Sequence, residues 1–127
     1  MRWDGHATEV PADVRRGTLE RARALRADRG RTWMLAAGIG APRLWQRAAA
    51  AALEGGVRAH QDAESMAPVP RLDATLDGAR AGLHAAVDVL VERRLPDCAF
   101  LVLTLAGGEL HVASVGNLRA YHRRKGQ

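Results

Sequence analysis

Hydrophobic positions recur at helical spacing in two stretches of the chain, and the clearer one is Leu72–Leu95. Its apolar residues follow one another in steps of three and four, which places them on one face of a helix. These residues are Leu72, Leu76, Ala79, Leu83, Ala86, Val87, Leu90 and Val91. Pro96 ends this helix, because a proline disfavours helical backbone in the residue before it. A second helix is predicted over Leu44–His60, followed by a loop over Glu64–Pro70 that contains two prolines.

Three shorter stretches have the pattern of strands. Thr32–Ala37 is an apolar run that stops at a glycine, which predicts a buried strand. Phe100–Leu105 is a second apolar run, and the alternating residues of Leu110–Val115 make it one half of a hairpin. Arg119–Arg123 is a candidate for a further strand. The order strand, helix, helix, hairpin, strand predicts an α+β fold with both helices packed on one sheet face.

Residues 1–31 precede this pattern and are interpreted as a polar, arginine-rich lead-in to a domain over residues 32–127. The lead-in holds eight arginines and five acidic residues. Thr18–Arg29 has helical propensity, but its apolar residues are mostly alanine, which gives a thin hydrophobic face. We therefore expect a loosely packed, solvated segment whose pattern still leaves room for a strand.

Composition narrows the class of protein further. A length of 127 residues suits one domain, and 25 alanines with only 4% aromatic residues predict a core of Ala, Leu and Val. The net charge of +5 is mild for this size and argues against a dedicated nucleic-acid binder. The single cysteine, Cys98, excludes an internal disulfide framework and suits a reducing compartment. The sequence shows neither a membrane-spanning run nor a signal-peptide pattern, so we expect a cytoplasmic protein with no membrane partner.

Residues 100–127 combine an apolar run, a glycine-containing turn, a second strand pattern and the motif Gly-Asn-Leu-Arg-Ala-Tyr over Gly116–Tyr121. This segment resembles the central part of the metal-dependent protein phosphatases of the PPM (type 2C) family. There, the same order of strand, turn and strand leads into Gly-Asp-Ser-Arg-Ala-Tyr. Four of the six motif positions match in this chain.

The upstream order of elements is similar to that of the same family. A PPM phosphatase has a strand ending in Asp-Gly-Met-Gly-Gly, then two long helices, then a Gly-Thr-Thr strand. This chain has Leu35–Ala41, the two predicted helices and Asp97–Ala99 in the same order, and Arg23–Asp28 echoes an early Arg-x-x-Asn-Glu-Asp motif. The resemblance covers about residues 15–127, which corresponds to about the first half of a full phosphatase domain. It implies a partial β-sandwich with two long helices packed on one sheet face.

The resemblance also implies a chemistry. In the family, paired carboxylates hold two divalent cations, Mn²⁺ or Mg²⁺, which activate a water molecule against a phosphoserine or phosphothreonine ester. Arg23 matches the arginine that binds the substrate phosphate, and Asp28 and Gly38 match positions that hold metal. The later motif corresponds to Gly116, Asn117, Leu118 and Arg119.

Departures from the family pattern predict that this activity is lost. Ala37 stands where the family has its essential metal-binding Asp, and a methyl group cannot bind a hard cation. Asn117 replaces a second Asp, and Leu118 lacks the hydroxyl of the family serine. The later aspartates of the family would lie beyond residue 127. We therefore expect a pseudophosphatase that binds no Mn²⁺ or Mg²⁺ and acts by binding a protein partner or a phosphoprotein.

Two other classes of function stay open. One is a weak or split metal-dependent phosphatase, assembled with a second polypeptide or using a relocated ligand, whose turnover Mn²⁺ would stimulate. The other is a basic adaptor that binds nucleic acid through its arginines with strongly salt-dependent affinity, although the low aromatic content disfavours it. A nucleotide-binding loop at Gly38–Gly40 is disfavoured more strongly, because the Lys-Ser/Thr pair of a P-loop and the third glycine of a dinucleotide fingerprint are missing.

Half of a sandwich would carry a physical penalty. It would leave an unpaired strand edge near Tyr121 and an uncovered apolar sheet face. We therefore expect the chain to associate with itself through the sheet edge, to bind a partner or to aggregate. Cys98 is expected to be a small buried hydrophobic residue, and the five histidines are expected to be surface or internally satisfied residues.

Overall fold

The computed structural model describes residues 12–14, 17–19, 22–40, 42–88 and 97–121. Its strands and helices are β1 (Ala12–Val14), β2 (Gly17–Leu19), β3 (Ala22–Ala27), β4 (Thr32–Ile39), α1 (Trp45–Asp62), α2 (Pro68–Val87), β5 (Asp97–Ala106) and β6 (Glu109–Val115). Strands β1 and β2 pair with each other, whereas β3, β4, β5 and β6 form one antiparallel sheet in that order. The predicted α+β class is confirmed.

Both helices pack on one face of the four-stranded sheet. In β4, Met34 and Ala36 are almost completely buried and belong to the same hydrophobic core as residues of α1 and α2. Their partners across the β5 ladder, Val102 and Phe100, belong to that core as well. Directly opposite residues of an antiparallel pair share a sheet face, so this row of side chains defines the helix-covered face. The prediction that the helices lie on one side of the sheet is confirmed.

The two helices approach each other closely. A Cβ atom at Gly55 of α1 would overlap the carbonyl oxygen of Gly78 of α2, and one at Gly82 would lie 2.5 Å from the carbonyl oxygen of Ala51. Small residues therefore allow the backbones to meet where larger side chains would hold them apart. Helix α1 continues past Gly55 and Gly56 to Asp62. Gly55 lies at the contact with α2, and Gly56 lies against the Phe100 ring.

The bounds of several elements differ from prediction. Helix α2 begins at Pro68, inside the predicted loop Glu64–Pro70, because proline is well tolerated in the first turn of a helix, where its missing N–H is not needed. Residues 118–121 have no regular structure, so the strand predicted from Arg119 is wrong over these residues, and residues 122–127 lie outside the described part. The predicted end of the second helix near Leu95 also falls outside it, since the described helix ends at Val87.

The arginine-rich lead-in contributes to the sheet. Strand β3 lies within residues 1–31, and its full length pairs with residues 32–37 of β4, from Ala22 opposite Ala37 to Ala27 opposite Thr32. Leu25, opposite Met34, packs against the core. The helix suggested by propensity over Thr18–Arg29 is therefore wrong over β3, because pairing with β4 overrides a weak local preference. Among the helices described, neither is both long and apolar enough to pass through a bilayer.

Candidate functional site

The end of the sheet at which β4 finishes is where the family resemblance places its chemistry. Ala37 is opposite Ala22 on β3 and opposite Ala99 on β5, so three alanines form one row across the sheet. Ala37 is 8% exposed and Ala99 is fully buried. The methyl groups of Ala37 and Ala99 offer no atom that can bind a cation or activate water.

Gly38 occupies the junction between β4 and α1. A Cβ atom at this position would lie 2.5 Å from Trp45 Cα and 2.7 Å from the Trp45 carbonyl oxygen, closer than real Cβ atoms approach backbone. The Trp45 indole N–H also donates a hydrogen bond of 3.1 Å to the carbonyl oxygen of Gly40. Close packing of the helix start against the strand end therefore accounts for glycine at position 38 without a metal.

The later motif reaches the same end of the sheet from β6. Gly116 has a φ of +90°, and a Cβ atom there would lie 2.7 Å from the Cβ of Ala99. Asn117 and Arg119 are exposed, and Leu118 is half-buried. The structure therefore places Gly116 against Ala99, which is opposite Ala37 in the β4–β5 register.

Arg23 lies at this end of the sheet as well. It is opposite Ala36 in the β3–β4 register and is exposed. Such exposure is ordinary for a surface arginine, and the phosphate-binding role expected for Arg23 stays a prediction. Asp97, opposite Ile39, adds a carboxylate whose Oδ1 accepts a hydrogen bond of 2.7 Å from the Cys98 N–H.

Asp28, the other expected metal ligand, lies at the opposite end of β4. It is in the turn between β3 and β4 with a φ of +53°, and Gly38 is near the far end of β4. Gly38 is six positions after Thr32, and a strand rises by about 3.3 Å per residue, so the Thr32 and Gly38 ends of β4 are about 20 Å apart. One cation cannot contact both Asp28 and Gly38, and the metal site expected from these two residues is not assembled.

The carboxylate of Asp28 already has a partner. Its Oδ2 lies 3.2 Å from Arg71 Nη1, and the Arg71 Nε donates to the carbonyl oxygen of His60 at 2.9 Å. Both ionised side chains are largely buried, with exposures of 22% and 14%. Arg71 therefore connects the β3–β4 turn to the end of α1 from its position on α2.

No cluster of three or more His, Cys, Asp or Glu side chains suitable for a metal occurs within residues 12–121 as far as the structure describes them. Mn²⁺ and Mg²⁺ need several hard oxygen ligands, and Ala37 and Gly38 supply no carboxylate. The residues at this end of the sheet thus do not fit the two-cation centre of the family. That the chain binds no such cation stays a prediction.

A buried polar cluster that the sequence patterns did not reveal lies at the Asp28 end of β4. His60 of α1 is 1% exposed, and around its ring are Thr32 of β4, Thr75 of α2 and, one hydrogen bond further, Thr104 of β5. All three threonines are buried. Four elements of the fold therefore meet at one imidazole.

The hydrogen bonds of this cluster follow a single direction. The Thr75 hydroxyl donates to the Arg71 carbonyl oxygen at 2.8 Å, so its oxygen is left to accept from His60 Nδ1–H at 3.0 Å. In a neutral ring, Nε2 then carries no proton and accepts from the Thr32 hydroxyl at 3.2 Å. Thr32 in turn accepts from Thr104 at 2.8 Å. This assignment follows from the donor inventory, which fixes the Nδ1–H tautomer.

The electrostatic surroundings keep the His60 ring neutral. Burial lowers its pKa below the usual value, the Arg71 guanidinium lowers it further, and the Asp28 carboxylate, 4.0 Å from Nε2, opposes them. Every buried side-chain polar atom of the described residues has a partner. The cluster is thus fully satisfied, and the Thr75 hydroxyl, buried and committed to a main-chain oxygen, is not positioned to attack a substrate.

Cys98 behaves as a buried hydrophobic residue. It is a free thiol, its Sγ donates to the Ala99 carbonyl oxygen at 3.2 Å, and burial raises its pKa to about 11. A neutral thiol is a poor nucleophile, so the expectation for Cys98 is confirmed.

No protein-family model, curated protein or solved structure matches this chain.

Proposed function

We propose that the chain is a non-catalytic relative of the PPM phosphatases that acts by binding another polypeptide over the sheet face opposite its helices. The observation that carries this proposal is the apolar character of that face. It is called the open face below and consists of Trp33, Leu35, Leu101, Leu103, Leu105, Leu110 and Val112.

The register assigns these residues to one side. Trp33 alternates with the core-facing Met34, and it is opposite Leu103, which is opposite Val112. Val112 is 43% exposed, and most of the remaining members are partly exposed. The Arg26 guanidinium lies 5.1 Å from the Trp33 ring centroid, a cation–π distance that covers one edge of the face.

An apolar sheet face of this kind is typical of one layer of a β-sandwich. Two such faces pack about 10 Å apart and exclude water between their side chains. A polypeptide that presents its own apolar sheet would therefore be the best complement, and a second copy of this chain is the substitute when no such partner is present. This agrees with the half-sandwich that the resemblance implies.

The arrangement at the Ala37 end supports a role without catalysis. The side chains of Ala37 and Ala99 carry no ligand atoms, and Asp28 is paired with Arg71 far from Gly38. Hydrolysis of a phosphoserine peptide, measured with Mn²⁺, with Mg²⁺ and with a chelator, tests this directly. We expect no turnover above the chelator blank for the natural chain or for Ala37→Asp, because one carboxylate does not rebuild a two-cation site. Clear Mn²⁺-dependent turnover by the natural chain would favour the weak or split phosphatase instead.

Binding over the open face is tested by two matched substitutions. Val112→Glu places a charge on the open face, whereas Val69→Glu places the same charge on an α2 position that is 60% exposed. We expect sedimentation velocity to show self-association of the natural chain and of Val69→Glu that Val112→Glu reduces. A natural chain that stays monomeric at every concentration and unfolds sharply would contradict the proposal. Salt-dependent binding of a labelled oligonucleotide would favour the nucleic-acid adaptor.

A further inference from the structure

Strand β6 lies at one edge of the four-stranded sheet, and no other strand among the described residues pairs with its outer side. None of its residues is buried, so this side is accessible. The strand at the other edge, β3, carries the exposed residues Arg23 and Arg26. Charged side chains of this kind keep an edge strand from pairing with another chain. The seven residues of β6 include no lysine, arginine or proline, so the β6 edge lacks that protection.

A printed hydrogen bond of the neighbouring strand determines which backbone groups of β6 point outward. The Leu105 N–H donates to the carbonyl oxygen of Arg31, which directly precedes β4, at 2.9 Å. Because its N–H points toward β4, Leu105 exchanges no hydrogen bonds with Leu110, its partner on β6. Such pairs alternate with hydrogen-bonded pairs along an antiparallel ladder. The N–H and C=O groups of Leu110, Val112 and Ser114 therefore point away from β5.

These outward groups are complementary to those of a second copy of the same strand. In an antiparallel pair centred on Val112, each Val112 is opposite the Val112 of the other copy, and each Leu110 is opposite a Ser114. Each of these pairs would exchange two hydrogen bonds. A single register thus satisfies the outward backbone groups of all three residues in both copies.

The same register avoids electrostatic repulsion. It sets Glu109 opposite Val115 and His111 opposite Ala113, so no like charges are directly opposite each other. A register centred on His111 would set two imidazoles opposite each other. A register centred on Ala113 would leave Leu110 without a partner inside the strand. The register centred on Val112 is therefore the best of the three.

We propose that two copies of this chain pair through their β6 edges, antiparallel and with Val112 on the two-fold axis, so that one continuous sheet crosses both copies. Such an interface is self-complementary, as a two-fold dimer requires. The side chains of Leu110 and Val112 lie on the open face, so the pairing joins the open faces of the two copies into one surface. The dimer is held by backbone groups at the edge, and it does not depend on what binds the open face.

Hydrogen exchange of the full chain, measured by NMR at increasing concentration, tests the pairing residue by residue. Sedimentation velocity identifies the concentrations over which monomer converts to dimer. Across that range we expect the amides of Leu110, Val112 and Ser114 to exchange at least about tenfold more slowly, because they gain hydrogen bonds. The amides of His111 and Ala113 point toward β5 and are the internal controls, since their hydrogen bonds do not change on pairing.

The outcomes separate this proposal from association through the open face. A dimer in which the three outward amides stay unprotected would overturn edge pairing and would favour contact through the open face. A chain that is monomeric at every concentration would overturn edge pairing as well. Protection of the outward amides alone, in step with dimer formation, would support it.

Substitutions at one position provide a second test. Val112→Pro removes the outward N–H and keeps an apolar side chain, and proline is tolerated where the N–H of an edge strand faces solvent. We expect it to raise the dimer Kd about tenfold or more, because the central pair loses both of its hydrogen bonds. Val112→Thr is the matched control, since it keeps the N–H and a β-branched side chain, and should stay dimeric.

A charge on the open face away from the edge completes the comparison. Leu105→Glu places a carboxylate on that face while its backbone stays paired within β5, so we expect the edge dimer to persist. Circular dichroism establishes that each variant is folded. A dimer unaffected by Val112→Pro, or weakened as much by Val112→Thr, would contradict edge pairing. A dimer lost with Leu105→Glu but kept with Val112→Pro would assign self-association to the open face.

Discussion

The two ends of β4 differ in what is packed against them. At its Thr32 end, polar side chains from β4, β5, α1 and α2 are buried together and satisfy one another around His60. At its Gly38 end, methyl groups and glycines allow backbones to meet, with Trp45 against Gly38 and Ala99 against Gly116. The end that the resemblance marks for catalysis is thus a packing contact, and the His60 ring at the polar end is buried.

This difference shows that polar residues and reactivity need not coincide. The His60 cluster contains an imidazole, hydroxyls, a guanidinium and a carboxylate, the groups from which active sites are made. Each is committed to a partner inside the protein, so the cluster contributes geometry and stability. At the Ala37 end, Ala37 and Ala99 are buried, and their methyl groups cannot act on a substrate.

The largest effect is expected from a methyl group added at the packing end. Gly38→Ala places a Cβ atom against the Trp45 backbone, and backbone shifts of this kind cost about 2–3 kcal/mol. Gly107→Ala is the matched control, since its φ of +58° is strained for alanine but nothing lies within 4 Å of the added carbon. We expect about 1 kcal/mol for the control, measured by urea denaturation. Equal losses would mean that the close contact at Gly38 is not what destabilises the chain.

The directional hydrogen bonds at the other end predict an asymmetry between two threonines. Thr75→Val leaves the His60 Nδ1–H buried without an acceptor, which costs about 2 kcal/mol. Thr104→Val removes only the hydroxyl that donates to Thr32. The Thr32 hydroxyl still donates to His60 Nε2, so we expect a loss of about 1 kcal/mol in the free energy of unfolding. Nitrogen NMR shifts of the His60 ring provide a second readout and should show the neutral Nδ1–H tautomer. An Nε2–H tautomer, or a larger loss for Thr104→Val, would reverse the deduced direction.

The smallest expected effect is a pH dependence of folding stability that arises from His60, at the Thr32 end of β4. The folded-state pKa of His60 is lowered below its usual value of about 6.5, so the unfolded chain binds a proton more readily. Stability contributed by the neutral ring is therefore complete above about pH 6.5 and decreases as the pH falls below it. We expect His60→Gln to flatten this dependence, and His84→Gln, at an exposed position, to leave it intact. A profile unchanged by His60→Gln would assign the effect to other groups.

The parts of the fold that sequence patterns predicted are those with a complete hydrophobic period. The β5–β6 hairpin and β4 carry strand patterns, α1 and α2 carry a helical period, and the existence and type of these elements are confirmed. Strand β3 lacked that signal because Leu25 is its one large apolar residue facing the core, with arginine and alanine around it. The start of α2 was missed because its prolines were interpreted as helix breakers, although they lie in the first turn.

The candidate site was harder to predict because it depends on register. A motif comparison places Asp28 with Gly38, but the β3–β4 pairing puts Ala22 beside Ala37 and carries Asp28 to the other end of the strand. The His60 cluster has no local signature either, since Thr32, Thr75 and Thr104 are far from it in sequence. The sequence hint was that β4, α2 and β5 each carry one threonine among the apolar residues that face the core.

The close helix pair has a consequence for the order of folding. Strands β4 and β5 are neighbours in the sheet, yet both helices separate them in the chain. Closing such a long loop directly carries an entropic cost, whereas α1 and α2 contact each other across a short connection. We expect the α1–α2 hairpin to form early through the close contact of Gly55 with Gly78. Once formed, it would shorten the effective loop that must close before β5 pairs with β4. If this order is correct, Gly78→Ala should lower the refolding rate as well as the stability of the chain.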